Sequence, residues 1–283
     1  MESIDQKRVR IEDVEIMLAQ PTALRIQWVG QEEVIKQLLA AWMVVDQDDL
    51  PFNPRLIGKP GVGKTTLAYA AAKRLGKQVY MFQATMDTRP EDLIVTPVVT
   101  PGGQIAYAAS TLVTAMIKGE VCIIDEGNRM SEKSWASLAP LLDDRRYVES
   151  LVAGIKVPAQ KDFLFAVTMN DDTSTYDIPE YIHSRLQPQI FLDFPDEDEE
   201  KMILQENLPF VDDEILDYVV SFLQRAHEND EIYTVRDGIN IARYAAKRIK
   251  SGGLATATAV EEAVLMTVGS EVIEYLHDEH DEI

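Results

Sequence analysis

The chain has 283 residues, 46% of them apolar and 27% charged, so it can bury a sizeable core and does not have the composition of a disordered segment. No uninterrupted apolar run approaches the ~20 residues that cross a bilayer, and the opening stretch MESIDQKRVRIEDVEIML lacks the apolar core of a secretory signal, so a cytoplasmic location without membrane insertion is expected. Lys and Arg number 27 against 48 Asp and Glu, and the resulting formal charge of −21 repels phosphate backbones, which favours a protein partner over nucleic acid.

In chain order, Ile11, Val14, Met17 and Leu18 recur at helical spacing, which predicts an N-terminal helical segment over 1–27, halted near Pro21. A second helix is expected over 30–45, where Val34, Leu38 and Trp42 share a face. Past the acidic connector DQDDLPFNP, short apolar strands alternate with helices. The strands are expected at 55–57, 78–83, 120–124, 163–168 and 190–194. This alternation predicts an α/β fold with a parallel sheet covered on both faces. The one cysteine, Cys122, excludes an internal disulfide and reads as a small buried residue of the third strand. Around 192–200 proline and acid replace apolar strand, and beyond it only helical periodicity remains, over 199–207, 212–227, 235–250 and 257–276. The expected division is therefore 1–27, an α/β nucleotide-binding domain over 28–195, and a smaller all-helical domain over 196–283.

The strongest motif is GKPGVGKT at 58–65, which fits G-x-x-x-x-G-K-[ST] in full, follows a short strand and opens a helix. Gly58, Gly61 and Gly63 let the backbone curl so that N–H groups from Gly58 through Lys59, Val62 and Thr66 face phosphate, with Pro60 inside the loop. The helix N-terminus adds partial positive charge. Lys64 is expected at the β- and γ-phosphates, and Thr65 is expected to offer its hydroxyl to magnesium.

The second part is VCIIDE at 121–126, a buried strand ending in two acids. Asp125 is expected beside the magnesium ion and Glu126 is expected to polarise the attacking water as general base. The third is FLFAVTMN at 163–170, a buried strand ending in an amide, where Asn170 is expected beside the γ-phosphate. Together they predict ATP and Mg2+ as ligands.

These three strand ends, in this order, resemble an AAA+ ATPase. Finer wording narrows the likeness to the MoxR-type group, which includes CbbQ/NorQ-like activators. It rests on ASTLVTAMIKGEVCIIDEGNRM (109–130), on LLDDRRYVESLVAGIKVPAQKDFLFAVTMN (141–170), and on a hairpin insert at EDLIVTPVVTPGGQIAY (91–107) turning at Pro101-Gly102-Gly103. The resemblance implies a three-layer αβα P-loop core followed by a helical lid domain. It implies a homo-oligomeric ring, usually a hexamer, with an arginine of one subunit completing its neighbour's site. Arg185 matches that position best, with Arg129, Arg145 and Arg146 as rivals. The second sensor matches Arg236, which would project from the first turn of a helix capped by Thr234 and Asp237. The group reshapes or activates client proteins, often with a von Willebrand factor A domain protein, which here would be a separate polypeptide.

Two other readings stay open on the sequence alone. A nucleic-acid-directed motor of a restriction or defence type would read guanine through Asn-x-x-Asp. Here Asn170 is followed by Asp171, Asp172 and Thr173, so the second Asp is out of place. A non-hydrolysing nucleotide-binding scaffold would be expected to lack Asp125 or Glu126. A metal site at His277 and His280 would rest on their i,i+3 spacing alone.

Overall fold

Apolar segments too short to be stable alone need partners on both sides, and five of them here meet in one parallel sheet. The computed structural model describes residues 8–24, 28–171, 178–229, 231–270 and 275. Strands β1 (Arg8–Ile11) and β2 (Val14–Met17) precede helix α1 (Glu32–Trp42). Strand β3 (Arg55–Gly58), helix α2 (Lys64–Arg74) and strand β4 (Val79–Gln83) follow. A short helix α3 (Pro90–Leu93) leads to the hairpin of β5 (Val95–Val99) and β6 (Ile105–Ala109). Helix α4 (Thr111–Lys118), strand β7 (Val121–Asp125), a 3-10 turn (Gly127–Arg129) and helix α5 (Glu132–Leu138) come next. A second hairpin, β8 (Tyr147–Ser150) and β9 (Ile155–Pro158), precedes strand β10 (Leu164–Asn170), helix α6 (Glu180–His183) and strand β11 (Gln189–Phe191). Helices α7 (Glu197–Asn207), α8 (Asp213–Glu228), α9 (Val235–Gly252) and α10 (Thr256–Thr267) follow.

The chain divides into two compact units, residues 1–25, 33–58 and 64–191 in one and 26–32, 59–63 and 192–283 in the other. In the first unit the main sheet runs β11-β3-β10-β7-β4 with every neighbouring pair parallel. Parallel strands need crossovers, and the crossover helices cover the faces, so the strands read as continuous apolar runs rather than alternating ones. Cys122, Ile123, Ala166 and Val167 are accordingly fully buried, and burial drives the Cys122 thiol far above its ordinary range. Register puts Asn170 beside Gly58 and Asp125 beside Gln83, so the strand ends gather at one edge. Helix α4 shows how locally its limits are set: Ser110 Oγ accepts from Val113 N at 3.0 Å, and Gly119 closes it in the left-handed region.

The N-terminal helix expected over 1–27 is not formed within the described residues. Arg8–Ile11 and Val14–Met17 pair as an antiparallel hairpin, with Val9 opposite Ile16 and Ile11 opposite Val14 around a two-residue turn in which Glu12 has φ +53°. Charged residues alternate with Val9, Ile11, Val14 and Ile16, a period of two that the helical count overlooks. Strand β2 then joins β6 in parallel, giving a four-stranded sheet β1-β2-β6-β5. The expected hairpin insert is present, turning over Pro101 to Gln104. Helix α1 is shorter than expected and stops at Trp42, whose indole N–H donates to the Phe165 carbonyl at 2.8 Å.

The second unit holds α7–α10 around Leu204, Leu216, Val219, Leu223, Ile241 and Ala263, all at most 1% exposed. Asp196 caps α7 by accepting from Glu199 N at 2.9 Å. Thr234 and Asp237 form the capping box of α9 that their spacing suggests, with Thr234 N donating to Asp237 Oδ2 at 2.9 Å. No helix among the described residues is long and apolar enough to cross a membrane.

Glu200 on α7 is fully buried; its Oε2 accepts from Gln224 Nε2 at 2.8 Å. Desolvation pushes its carboxyl up to about 7, with the Gln224 hydrogen bond opposing. The folded state therefore holds this proton more tightly than the unfolded one. The associated stability is fully present below about pH 4.5 and is lost as pH rises through about 7. Glu200→Gln, which cannot ionise, is expected to remove that fall. Urea unfolding of the two forms should diverge by on the order of 3 kcal/mol between about pH 4.5 and pH 8, the variant being the more stable at high pH. A separate measurement tests the hairpin. Ile16, which the helical spacing leaves out, is 0% exposed, so Ile16→Ala is expected to cost about 2–5 kcal/mol in chemical denaturation.

Candidate active site

Gly58 ends β3 and Lys64 begins α2, so the chain between them is a loop leading straight into a helix N-terminus. Lys64 is 6% exposed and its Nζ donates to the Gly58 carbonyl at 2.8 Å. The same carbonyl accepts from Asp171 N at 3.2 Å. An ammonium buried beside the unsatisfied N–H groups of a helix start is a local concentration of positive charge suited to an anion.

At the end of β7, Asp125 is gripped by two hydroxyls. Thr65 Oγ1 and Thr168 Oγ1 each donate to Asp125 Oδ1 at 2.5 Å. Thr65 thus spends its single proton on the carboxylate and keeps lone pairs for another acceptor-seeking group. Glu126 follows with φ +55° and ψ 42°, a left-handed conformation rare for a residue bearing a Cβ. Its N–H donates to Thr168 Oγ1 at 3.0 Å. Its carboxylate accepts from Gln83 Nε2 at 3.2 Å and Asn170 Nδ2 at 3.5 Å, and it forms an ion pair with Arg129, whose Nε lies 2.7 Å away. Asn128 Nδ2 donates to the Asn170 carbonyl at 2.9 Å, tying the turn after the acids to the neighbouring strand end. Gly127 leaves no room there, since an added Cβ would overlap Val167.

A hydroxyl and a carboxylate are hard oxygen donors of the kind magnesium takes, with phosphate and water oxygens completing its shell. Thr65 and Asp125 fit that role. Among the described residues no group of three or more His, Cys, Asp or Glu could hold a metal ion unaided. His277 and His280 lie outside the described residues, as do Asp172 and Thr173.

The rest of the phosphate loop counts with the second unit. Gly61 has φ +85° and Gly63 φ +96°, a region open mainly to glycine. An added Cβ would come within 2.6 Å of Thr234 Oγ1 at Gly61 and 2.8 Å of the Trp28 ring at Gly63. Gly61 therefore lies against the cap of α9, the helix whose first turn carries Arg236. Val62 is buried, and Lys59 Nζ stands 4.7 Å from the centre of the Phe194 ring.

The remaining candidate arginines are engaged within the chain. Arg185 pairs with Asp143 Oδ2 at 3.4 Å and donates to the Tyr181 carbonyl. Arg145 grips both oxygens of Asp143, at 3.0 and 2.8 Å, and this hydrogen bonding holds the Asp143 carboxyl down at about 2. Arg146 donates to the Phe163 carbonyl at 2.8 Å, and burial lowers its guanidinium. Arg129 pairs with Glu126. Thr168 and Gln83 are absent from the residues the motifs point to. The signal for Thr168 was one hydroxyl inside an otherwise apolar strand; Gln83, at a polar strand end, left none.

Residues 55–186 match the model of the AAA domain of the dynein-related subfamily. A Holliday junction branch migration complex subunit RuvB from Pseudothermotoga lettingae is 31% identical over 106 residues, 37% of this chain and 26% of the relative. A von Willebrand factor A domain-containing protein 8 from Mus musculus is 29% identical over 120 residues, 42% of this chain and 6% of that protein. The matches thus span a third or less of these two relatives. Among solved structures, the Thermotoga maritima RuvB Holliday junction branch migration motor has a TM-score of 0.58 at 18% identity, covering 84% of this chain and 70% of the other. The fold is that of an α/β P-loop AAA+ core followed by helices.

Proposed function

We propose that the chain is a magnesium-dependent ATPase of a ring-forming, MoxR-like AAA+ motor that remodels or activates another protein. The observation that carries the reading is the meeting of Thr65, from the phosphate loop, with Asp125, whose neighbour Glu126 is framed by Asn170 and Gln83. Lys64 and the start of α2 bind the β- and γ-phosphates, and Thr65 and Asp125 hold magnesium. The chemistry such an ion supplies is neutralisation of charge on the phosphate oxygens. Glu126 takes the proton of the attacking water, and Asn170 orients that water. Arg236, from the helix whose cap meets Gly61, reaches the γ-phosphate as second sensor. Arg185 acts on a neighbouring subunit's site after leaving Asp143, where a cation offsets charge on the transferred group.

A protein client is favoured by the charge of −21 and by the β5–β6 and β8–β9 hairpins, which present exposed apolar residues: Val99, Ile105 and the 94% exposed Leu151. The matched mouse protein has a von Willebrand factor A domain in its name, which favours such a protein as a separate partner. The RuvB likeness favours the second reading, a motor acting on nucleic acid.

Glu126→Gln is expected to lower turnover by about 10²–10⁴-fold while a fluorescent ATP analogue binds within a few-fold of the parent; undiminished turnover would remove Glu126 as base. The same variant, stalled in ATP and used as bait, should retain a protein, whereas retention of DNA favours the second reading. Light scattering with a non-hydrolysable ATP analogue should give a mass several times 31.8 kDa. A strict monomer under every nucleotide condition excludes Arg185 acting across a boundary.

A further inference from the structure

We propose that Thr168 is a positioning residue that holds Asp125 and Glu126 in their working arrangement; this rests on the reading of the site as an ATPase. Strand β10 is buried along its length, and Thr168 is its one polar side chain between Leu164 and Met169. Thr168 is 0% exposed. A hydroxyl sealed inside such a strand is destabilising when it lacks partners, and valine would fill the same space without that cost. Thr168 uses its hydroxyl fully. Its proton goes to Asp125 Oδ1 at 2.5 Å, and its oxygen accepts the Glu126 N–H at 3.0 Å.

The register makes this possible. Val167 lies opposite Ile124 in the parallel ladder of β10 and β7, so the next residue along β10 reaches the next residue along β7, Asp125. There the ladder ends and the Glu126 N–H needs another acceptor. Glu126 also sits at φ +55°, a left-handed conformation that is strained for a residue with a Cβ. The hydrogen bond to Thr168 offsets that strain and keeps the Glu126 side chain among Gln83, Asn170 and Arg129. Without the hydroxyl, Asp125 has one hydroxyl donor instead of two, and Glu126 loses the bond that pins its backbone. Lys64, which bonds the Gly58 carbonyl, touches neither bond, so nucleotide binding should survive.

The test compares Thr168→Val with Thr168→Ser in the full chain, with the parent and Glu126→Gln alongside. Thr168→Val should lower kcat about 10–100-fold and raise the magnesium concentration for half-maximal rate several-fold, the scale seen when a partner of a metal ligand is removed. KM for ATP should change less than about three-fold, and Thr168→Ser should restore kcat to within about three-fold. Thermal unfolding measures folding separately. A Thr168→Val protein with parental kcat and magnesium dependence overturns the proposal, as does a folded Thr168→Ser protein as impaired as the valine form. If the parent shows no turnover that Glu126→Gln abolishes, the ATPase reading itself fails and the proposal falls with it.

Discussion

One carboxylate oxygen, Asp125 Oδ1, takes the protons of two hydroxyls that come from distant parts of the chain. Thr65 stands at the start of α2 and Thr168 lies 43 residues beyond Asp125, inside β10. Neither hydroxyl could be there without the parallel register of β3, β10, β7 and β4, because only parallel strands bring their C-terminal ends to the same edge of a sheet. Gly58, Gln83, Asp125 and Asn170 all arrive at that edge. The sheet is thus the scaffold for the chemistry, and its buried faces fix side chains that a loop would leave free to turn.

Around this edge the arginines are arranged by pairing. Asp143 gathers Arg145 and Arg185, and Glu126 gathers Arg129. These side chains are all at least a fifth exposed, so the pairs contribute little to stability. Their consequence is geometric: each guanidinium has a defined resting place inside its own chain. Any other anion that takes one of these guanidinium groups must compete with Asp143 or Glu126.

The second sheet shows a different use of the same chain. The hairpin of β5 and β6, inserted between β4 and α4, is extended by the N-terminal hairpin through β2. Thr114, in α4 behind this insert, accepts the Ala19 N–H at 2.9 Å, which fixes where the N-terminal strand leaves the sheet. The insert is therefore braced rather than a loose excursion, while Val99 and Ile105 at its tip remain exposed.

Much of this was legible in the residues. A glycine that must take positive φ, a buried apolar strand, a capped helix and a lysine at a loop's end are local demands, written in local sequence, so the phosphate loop, the five core strands and the four C-terminal helices could be named from the chain alone. The N-terminal hairpin could not, because Ile11, Val14 and Met17 satisfy a helical count as well as two strands around a turn. Its pairing with β6, some ninety residues away, decided between them. The same holds for Thr168, Gln83 and the left-handed Glu126. The sequence by itself determined which residue types stand at each strand end. Only the tertiary structure decided which hydroxyl meets which carboxylate, because that depends on inter-strand register, a property of the whole sheet that no local pattern records.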